Sequence, residues 1–519
     1  MGWNLFRTKS VGELSEAAER GEHRLQRVLG PKELIFLGIG AIIGAGIFST
    51  LGTAAVGVPG VREGAGPAVV FSFALLGFVC MLAGMCYAEL TAMIPVSGSA
   101  YTYAFATLGE FVAWIIGWDL VLEYAIGNVG VAIAWSNYFD SLLRGFDIEP
   151  PRWLMFSYGD VFQQLASRQA SLAELTAAVD ATPEALKTAT ARVAEMQGIV
   201  DGAPKLWGFD VIVNVPAVLI TLAITWLLVR GVRESAKANN VMVWIKLGVL
   251  ALFLGVGAWN VNPENWKDFA PNGWTGIHHG AAIVFFAFIG FDAVSTAAEE
   301  AKNPQRTMPI GILGSLAICT VLYMVVGLVA TGLVPYQELG NGADPLAIAL
   351  QKFPAAQFIV SLGAVISMAA VLLVFQYGQP RIFYAMSRDG LLPKVFAKLH
   401  PKYHTPHVTT IVTGLIVAIG AAVWDDDAAY DLTNIGTLSA FAIVSLGVLV
   451  LRVKHPEIHR PFQVPFIWIV APTSIGACIY VMLGLPVHAW ERFGIWLLIG
   501  LAIYFVRKLT MKSDPSPAR

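Results

Sequence analysis

Gly38-Ile39-Gly40-Ala41-Ile42-Ile43-Gly44-Ala45-Gly46-Ile47-Phe48 is an apolar run with four glycines in nine residues. Each glycine weakens a helix by up to about 1 kcal/mol relative to alanine. A helix laid through this run is expected to unwind at Gly44–Gly46. The run sits inside a longer apolar segment, residues 33–57, long enough for a bilayer, which takes about 20 residues. Within the hydrocarbon layer a backbone leaves helix geometry only where it lines a cavity or is buried in protein. The run therefore predicts a broken membrane helix with a site built on the break.

Eleven further apolar segments follow, at 67–92, 109–138, 211–230, 241–259, 279–298, 309–334, 356–380, 408–424, 431–452, 464–485 and 491–507. Composition agrees. Of 519 residues, 56% are apolar and only 13% charged, where a soluble domain carries about 25%. The net charge of -2 gives no basic field for a polyanion. A soluble enzyme, a disordered chain and a nucleic-acid binder are excluded. Cys80, Cys86, Cys319 and Cys478 lie inside apolar runs, so they are read as small packing residues rather than a disulfide or zinc framework.

Placement of lysine and arginine orients the spans. With the N-terminus inside, 23 of the 34 fall in inside segments, 10 in outside segments, and Lys246 within a span. Both termini are expected in the cytoplasm of a multi-pass plasma or inner membrane protein. Residues 1–32 form a polar, mostly helical cytoplasmic segment without the apolar core of a secretory signal. Residues 33–507 form the twelve-span domain, and 508–519 a cytoplasmic tail. Between spans 3 and 4 lies a long outside loop, 139–210. Ser171-Leu172-Ala173-Glu174 reads there as a capping box, and Thr182-Pro183 as a cap with proline in the first turn. Two short amphipathic helices packed as a hairpin are expected, either as a partner or gating element or as a tolerated insertion.

Span 6 carries a second weak point, Phe285-Phe286-Ala287-Phe288-Ile289-Gly290-Phe291-Asp292. A carboxylate beside a glycine at mid-membrane is not filler. Spans 1 and 6 are five apart and so run in opposite directions. That is the pattern of a 5+5 inverted repeat, over about 33–259 and 279–452, with a broken helix opening each half and two extra helices at the end. The competing reading is that the glycines serve close helix packing, which Gly40-xxx-Gly44 also fits.

Such a pair of breaks suits a zwitterion. Amide N–H groups of Gly44, Ala45 and Gly46, at the positive end of a half-helix, would receive a carboxylate. Carbonyls near Ile42, Phe286, Ala287 and Ile289 would receive an ammonium. The side chain is left to a separate subsite.

Five stretches, GIGAIIGAGIF (38–48), CYAELTAMIPVSGSAYTY (86–103), GWDLVLEYAIG (117–127), FFAFIGFDAVSTAAEEAKNPQRTMPIGI (285–312) and GQPRIFYAMSRDGLLP (378–393), carry a family resemblance. With them the chain resembles the amino acid–polyamine–organocation (APC) superfamily, and within it the cationic amino acid transporter family with its bacterial proton-coupled members. The resemblance covers most of residues 24–460. It implies an all-α integral membrane protein of the leucine-transporter fold, in agreement with the inverted repeat. Departures are the long 139–210 loop, an insertion at 57–66, and alanine at position 45 where some relatives carry a small polar residue.

Charges within spans are costly and usually functional. Lys246 lies about five residues into span 5, roughly 8 Å from its inner end at 1.5 Å per residue. It either snorkels to the interface or takes the role the resemblance implies. Sodium-coupled relatives hold sodium between spans 1 and 8, and in proton-coupled relatives a span 5 lysine stands there as the proton-coupling residue. Glu123 and Asp292 are expected to line a side-chain subsite for a cationic substrate, or else to cap helix ends. Either carboxyl is also a candidate proton carrier. Asp119, one turn before Glu123 on the same face, is read as structural. Glu89, Glu299, Glu300, Lys302 and Arg306 are read as an inner gate network or surface pairs. His278 and His279 are interfacial groups, and Phe291, Phe375 and Gln376 are candidate pocket residues.

The resulting expectation is a secondary active transporter: sodium-independent, proton-coupled uptake of cationic or small neutral L-amino acids by alternating access. The alternatives are an amino acid exchanger and a membrane sensor. No nucleophile–base pair points to an enzyme, and no cofactor or metal is expected; His404-xx-His407 lacks a partner cluster. The expected partners are the amino acid, protons and the lipid bilayer, with no nucleic acid and the question of a small membrane accessory subunit left open.

Overall fold

The computed structural model describes residues 7–8, 29–94, 99–177, 183–231, 236–403 and 405–510. The expectations for most of the N-terminal segment, for the tail beyond 510, and for Thr182 and His404 lie outside the described residues.

The first membrane helix is broken. Helix α1 (Pro31–Ile42) starts with proline in its first turn, where the missing N–H costs nothing. It stops where Ile43 turns extended, at φ -74° and ψ 105°. The chain resumes as α2 (Gly46–Val56), bent by 41° from α1. A small hairpin follows, β1 (Gly57–Val58) against β2 (Arg62–Glu63). Helices α3 (Val69–Met93) and α4 (Ser99–Thr107) come next. Helix α5 (Glu110–Arg144) contains a π-helical stretch, Leu122–Ile126.

The segment expected as a loop with two helices contains α6 (Tyr158–Ala177) and α7 (Pro183–Asp201), packed on each other. Val161, Met196, Ile199, Ala203 and Ile212 form a core separate from the main one. The capping-box reading at Ser171 is corrected: α6 runs through this residue, and its Oγ donates to the Ser167 carbonyl at 3.1 Å. A second hairpin, β3 (Lys205–Leu206) with β4 (Phe209–Asp210), leads to α8 (Val215–Val229). Asn214 fixes the start of α8 by accepting from the Ala217 N–H.

Then come α9 (Ala236–Ala258) and α10 (Gly273–Val284). A 3₁₀ turn, Phe285–Phe288, precedes the second break at Ile289–Phe291, and a 3₁₀ helix, Asp292–Glu300, follows it. The chain finishes through α11 (Pro304–Leu333), α12 (Pro354–Arg388), α13 (His407–Val423), α14 (Asp426–Lys454), α15 (Ile467–Met482) and α16 (Val487–Thr510). Among the described residues, eight helices are long and apolar enough to cross a membrane, nine with α1 and α2 as one span. The other apolar helices, α8, α13 and α15, are shorter. At 1.5 Å per residue, α8 measures about 22 Å.

Helix α11 lies along α3 and α1, α12 along α5, α13 along α8, and α15 along α14. The bundle has two ends. One, the insertion end, carries α6, α7 and both hairpins. The other, the terminal end, carries the start of α1 and the end of α16.

The insertion is fastened to the turn between α13 and α14. Ser157 Oγ donates to the Trp424 carbonyl at 2.5 Å, and Gln163 Nε2 to Asp427 Oδ2 at 3.3 Å. Asp160 Oδ1 accepts from the Asp426 N–H at 3.0 Å. Burial pushes the Asp160 carboxyl up to about 7, and Asp425 and Asp427 add repulsion against the Ser157 and Asp426 hydrogen bonds. The docked insertion therefore holds a proton that a free aspartate, with a pKa of about 4, releases. Docking is strongest below pH ~4, weakens as pH rises towards about 7, and is flat above. Hydrogen-exchange protection factors along α6, corrected for the intrinsic base-catalysed rise of exchange with pH, are expected to be lower at pH 8 than at pH 5. Asp160→Asn should reduce that difference, Asp426 beside it keeping a share, and an unchanged pH dependence of protection in the variant would refute the assignment.

Candidate functional site

The two breaks cross at the centre of the bundle. Gly290 has φ +108°, and a Cβ there would stand 2.8 Å from the Ala41 carbonyl oxygen. A Cβ on Gly46 would stand 2.2 Å from Ala287 Cα. Only glycine allows this backbone-to-backbone approach, and at Gly290 only glycine takes the angle without strain. Ile42, Gly44, Ala45, Gly46, Phe286, Ala287, Ile289 and Asp292 are all buried around the crossing.

Lys246 reaches this point from α9. It is 1% exposed, and its Nζ donates to the Gly40 carbonyl at 2.6 Å, one turn before the first break. The snorkelling alternative does not hold for this lysine. The Ile42 carbonyl, expected to face a substrate ammonium, accepts from Tyr323 Oη on α11 at 3.0 Å. Both carbonyls at the end of α1 thus have side-chain donors from neighbouring helices.

Glu123 lies in the π-helical stretch of α5. π-Bulges inside helices are frequent at functional sites because they shift side chains out of α register. Its Oε2 accepts from Thr437 Oγ1 on α14 at 3.4 Å, and its carboxyl is a close electrostatic neighbour of Asp292. Tyr124 Oη donates to Asp292 Oδ2 at 3.5 Å. Glu123 and Asp292 are brought together as one carboxyl pair. Asp119, also on α5, is buried apart from this group. Among the described residues neither of its oxygens has a hydrogen-bond partner.

Aromatic rings close the space above and below. Towards the insertion end, Phe286 packs on Tyr430 with ring centroids 4.4 Å apart. Tyr430 Oη meets Ser49 Oγ at 3.1 Å and donates to the Gly130 carbonyl. Above it, Arg62 from β2 pairs with Asp431 on α14 at 2.7 Å, both buried. Towards the terminal end, Phe291 packs on Phe441 at 4.8 Å and on Tyr87 at 5.6 Å. Phe375 packs on Tyr124, while Gln376 turns to Thr225 on α8. His278 stacks on Tyr480, and His279 accepts from the Glu63 N–H, both at the insertion end.

The expected gate network at the terminal end is partly corrected. Glu89 on α3 is 1% exposed. Its partners are Arg452 of α14, in a two-pronged pair at 3.0 and 2.6 Å, Arg460 at 3.4 Å and the Val464 N–H at 2.7 Å. Its contacts tie it to α14 and the loop that follows. Sequence reading missed these partners, as it missed Tyr323, Tyr430, Thr437 and the Arg62–Asp431 pair. Residues separated by 281 to 381 positions along the chain carry no spacing signal.

The amino acid permease family model matches residues 29–505. The chain is 43% identical over 506 residues to a methylthioribose transporter of Bacillus subtilis, covering 97% of each chain. It is 42% identical over 510 residues to a branched-chain amino acid permease of the same organism, covering 98% of each. A vacuolar cationic amino acid transporter of Arabidopsis thaliana is 35% identical over 462 residues, which is 88% of this chain and 68% of that one.

Proposed function

The chain belongs to the amino acid permease family, and we propose that it takes up small or branched neutral L-amino acids with protons, independently of sodium. It is a multi-pass transporter of the plasma membrane and not an enzyme. Our reading places the terminal end in the cytoplasm, counts α8, α13 and α15 as spans to make twelve, and pairs the halves as an inverted repeat.

One observation carries the coupling proposal: the Lys246 ammonium sits on the Gly40 carbonyl at the end of α1. A lysine held there by a carbonyl is stabilised in its charged form. When α1 moves away, the same buried ammonium loses its acceptor and is driven to release a proton. Binding of substrate at the break and movement of α1 would in this way be tied to one proton. The Gly44, Ala45 and Gly46 N–H groups receive the carboxylate, and the carbonyls of Ala287 and Ile289 receive the ammonium, beside the Phe286 carbonyl, which already accepts from the Ile289 N–H at 3.3 Å. Ile42 contributes its position beside the break, its carbonyl being engaged by Tyr323.

For the side chain, the surroundings of Glu123 and Asp292 support one of the open alternatives. Glu123 and Asp292 are engaged with each other, with Tyr124 and with Thr437. Rings of Phe286, Tyr124, Phe375 and Phe291 surround the same space. We read this lining as fitting an apolar side chain better than a guanidinium. The name of the branched-chain permease relative points the same way.

The test is uptake of labelled alanine, leucine, arginine and methylthioribose into proteoliposomes, acidic outside, neutral inside, without sodium. Accumulation of alanine or leucine that collapses with a protonophore is expected. Arginine accumulation would return Glu123 and Asp292 to a cation subsite. Methylthioribose accumulation alone would overturn the zwitterion site. Exchange of internal for external amino acid with no net proton entry would make the protein an exchanger.

A further inference from the structure

The hairpin β3–β4 presents four residues in a row, Leu206-Trp207-Gly208-Phe209, at a tip that touches little else. Trp207 is 92% exposed, Phe209 74% and Leu206 57%. Trp207 and Gly208 take φ +52° and +85°, the signs of a two-residue I′ turn that matches the twist of the strands. Leu206 pairs with Phe209 and Lys205 with Asp210, so the apolar pair stands at the tip and the charged pair at the base. Lys205 Nζ and Asp210 Oδ1 are 3.6 Å apart. A Cβ built on Gly208 meets nothing within 4 Å, so the tip projects clear of the protein.

A two-stranded hairpin this short has little stability of its own in water, and exposed tryptophan and phenylalanine together are costly there. The base is held, however. The Val211 N–H donates to the Pro204 carbonyl, the Val213 N–H to the Trp153 carbonyl, and Ile212 is buried in the core of the insertion. The fold thus fixes an apolar point in space without giving it a protein partner among the described residues.

Its position names the occupant. Six residues after Phe209 the chain enters α8, whose Leu219, Leu222 and Trp226 face outward from the bundle. At 3.3–3.6 Å per residue Phe209 lies within about 22 Å, and Trp207 within about 29 Å, of the first turn of α8. Exposed aromatics ring the same end of the bundle: Trp259 after α9, Trp274 at the start of α10 and Phe146 after α5. Tryptophan at helix ends marks the boundary between headgroups and acyl chains. We propose that the Lys205–Asp210 hairpin is a lipid anchor, its Leu206–Phe209 tip seated in that boundary layer of the leaflet on the insertion side. It would hold the α6–α7 insertion down beside α8, leaving the Ser157–Asp160 face turned towards α14.

The four native cysteines are all buried, so a Trp207→Cys variant can be labelled selectively with an environment-sensitive fluorophore. The full-length protein is placed in nanodiscs, and Thr190→Cys, on the exposed side of α7, serves as control. The expected result at position 207 is blue-shifted emission, quenching by lipids with brominated acyl chains, and resistance to aqueous iodide, with the reverse at position 190. Iodide quenching at 207 equal to that at 190 would overturn the proposal. So would a position 207 shielded from both quenchers, which would mean a protein partner or a second copy on the tip. Transport activity does not enter the readout, so the outcome is independent of the substrate and of proton coupling.

Discussion

Proteoliposomes carrying Lys246→Met are expected to lose accumulation driven by a pH gradient. The methionine keeps the length and most of the volume of the lysine side chain but neither charge nor donor. In the wild type the Nζ donates to the Gly40 carbonyl at 2.6 Å, from a side chain only 1% exposed. A hydrogen bond to a charged group contributes about 1.5–3 kcal/mol, so the coupled rate should fall about ten- to a hundredfold. Lys246→Arg separates charge from proton transfer. A guanidinium remains protonated at every working pH, so this variant should keep whatever exchange survives the change in shape but not respond to the gradient. The assignment fails if Lys246→Met still accumulates substrate when the outside is acidified. If instead both variants lose exchange as well, lysine holds the end of α1 in place and the proton travels by another group. The Glu123–Asp292 pair is then the next to test, because two buried carboxyls lie side by side there.

Glu89→Ala is expected to produce the largest loss of stability of any single substitution at the terminal end. Arg460 donates to the Leu451 and His455 carbonyls, while Glu89 is the carboxylate in direct ion-pair contact with both Arg452 and Arg460. Its removal leaves two guanidiniums crowded together, one of them almost fully buried, and strands the Val464 N–H. Taking one partner from a buried ion pair costs about 3–5 kcal/mol, more than the pair itself contributes. The thermal unfolding midpoint in detergent should drop clearly, and expression should drop with it. Glu89→Gln keeps an acceptor for the Val464 N–H but loses the charge, and should fall between the two. A Glu89→Ala protein that melts with the wild type would show that water reaches the arginines and that the pair is no stronger than a surface one.

The breaks were readable because their cause is local. Four glycines in nine residues, or a glycine beside a mid-membrane aspartate, lower the cost of leaving a helix at those positions whatever surrounds them. Ser171 shows the converse. A capping box is equally local, but α6 runs through it because residues on both sides pack on α7 and the site need not be a start. Glu89 shows a third case. Read from sequence as a gate or surface group, it is buried, and its arginine partners lie 363 and 371 residues further along, where no local pattern points.

Composition and the period of the apolar segments determined, by themselves, that this chain lives in a membrane as helices and where two of those helices give way. Transfer of apolar side chains and the need to satisfy backbone groups in lipid act on each segment separately, so the information is contained in each segment. What only the tertiary structure decided is which groups meet at the breaks. Lys246 on Gly40, Tyr323 on Ile42, Glu123 with Asp292 and Arg62 with Asp431 each join residues from different helices. A buried charge or carbonyl is stable only with a partner in direct contact, and that contact depends on helix rotation and depth, which are set by the packing of the whole bundle.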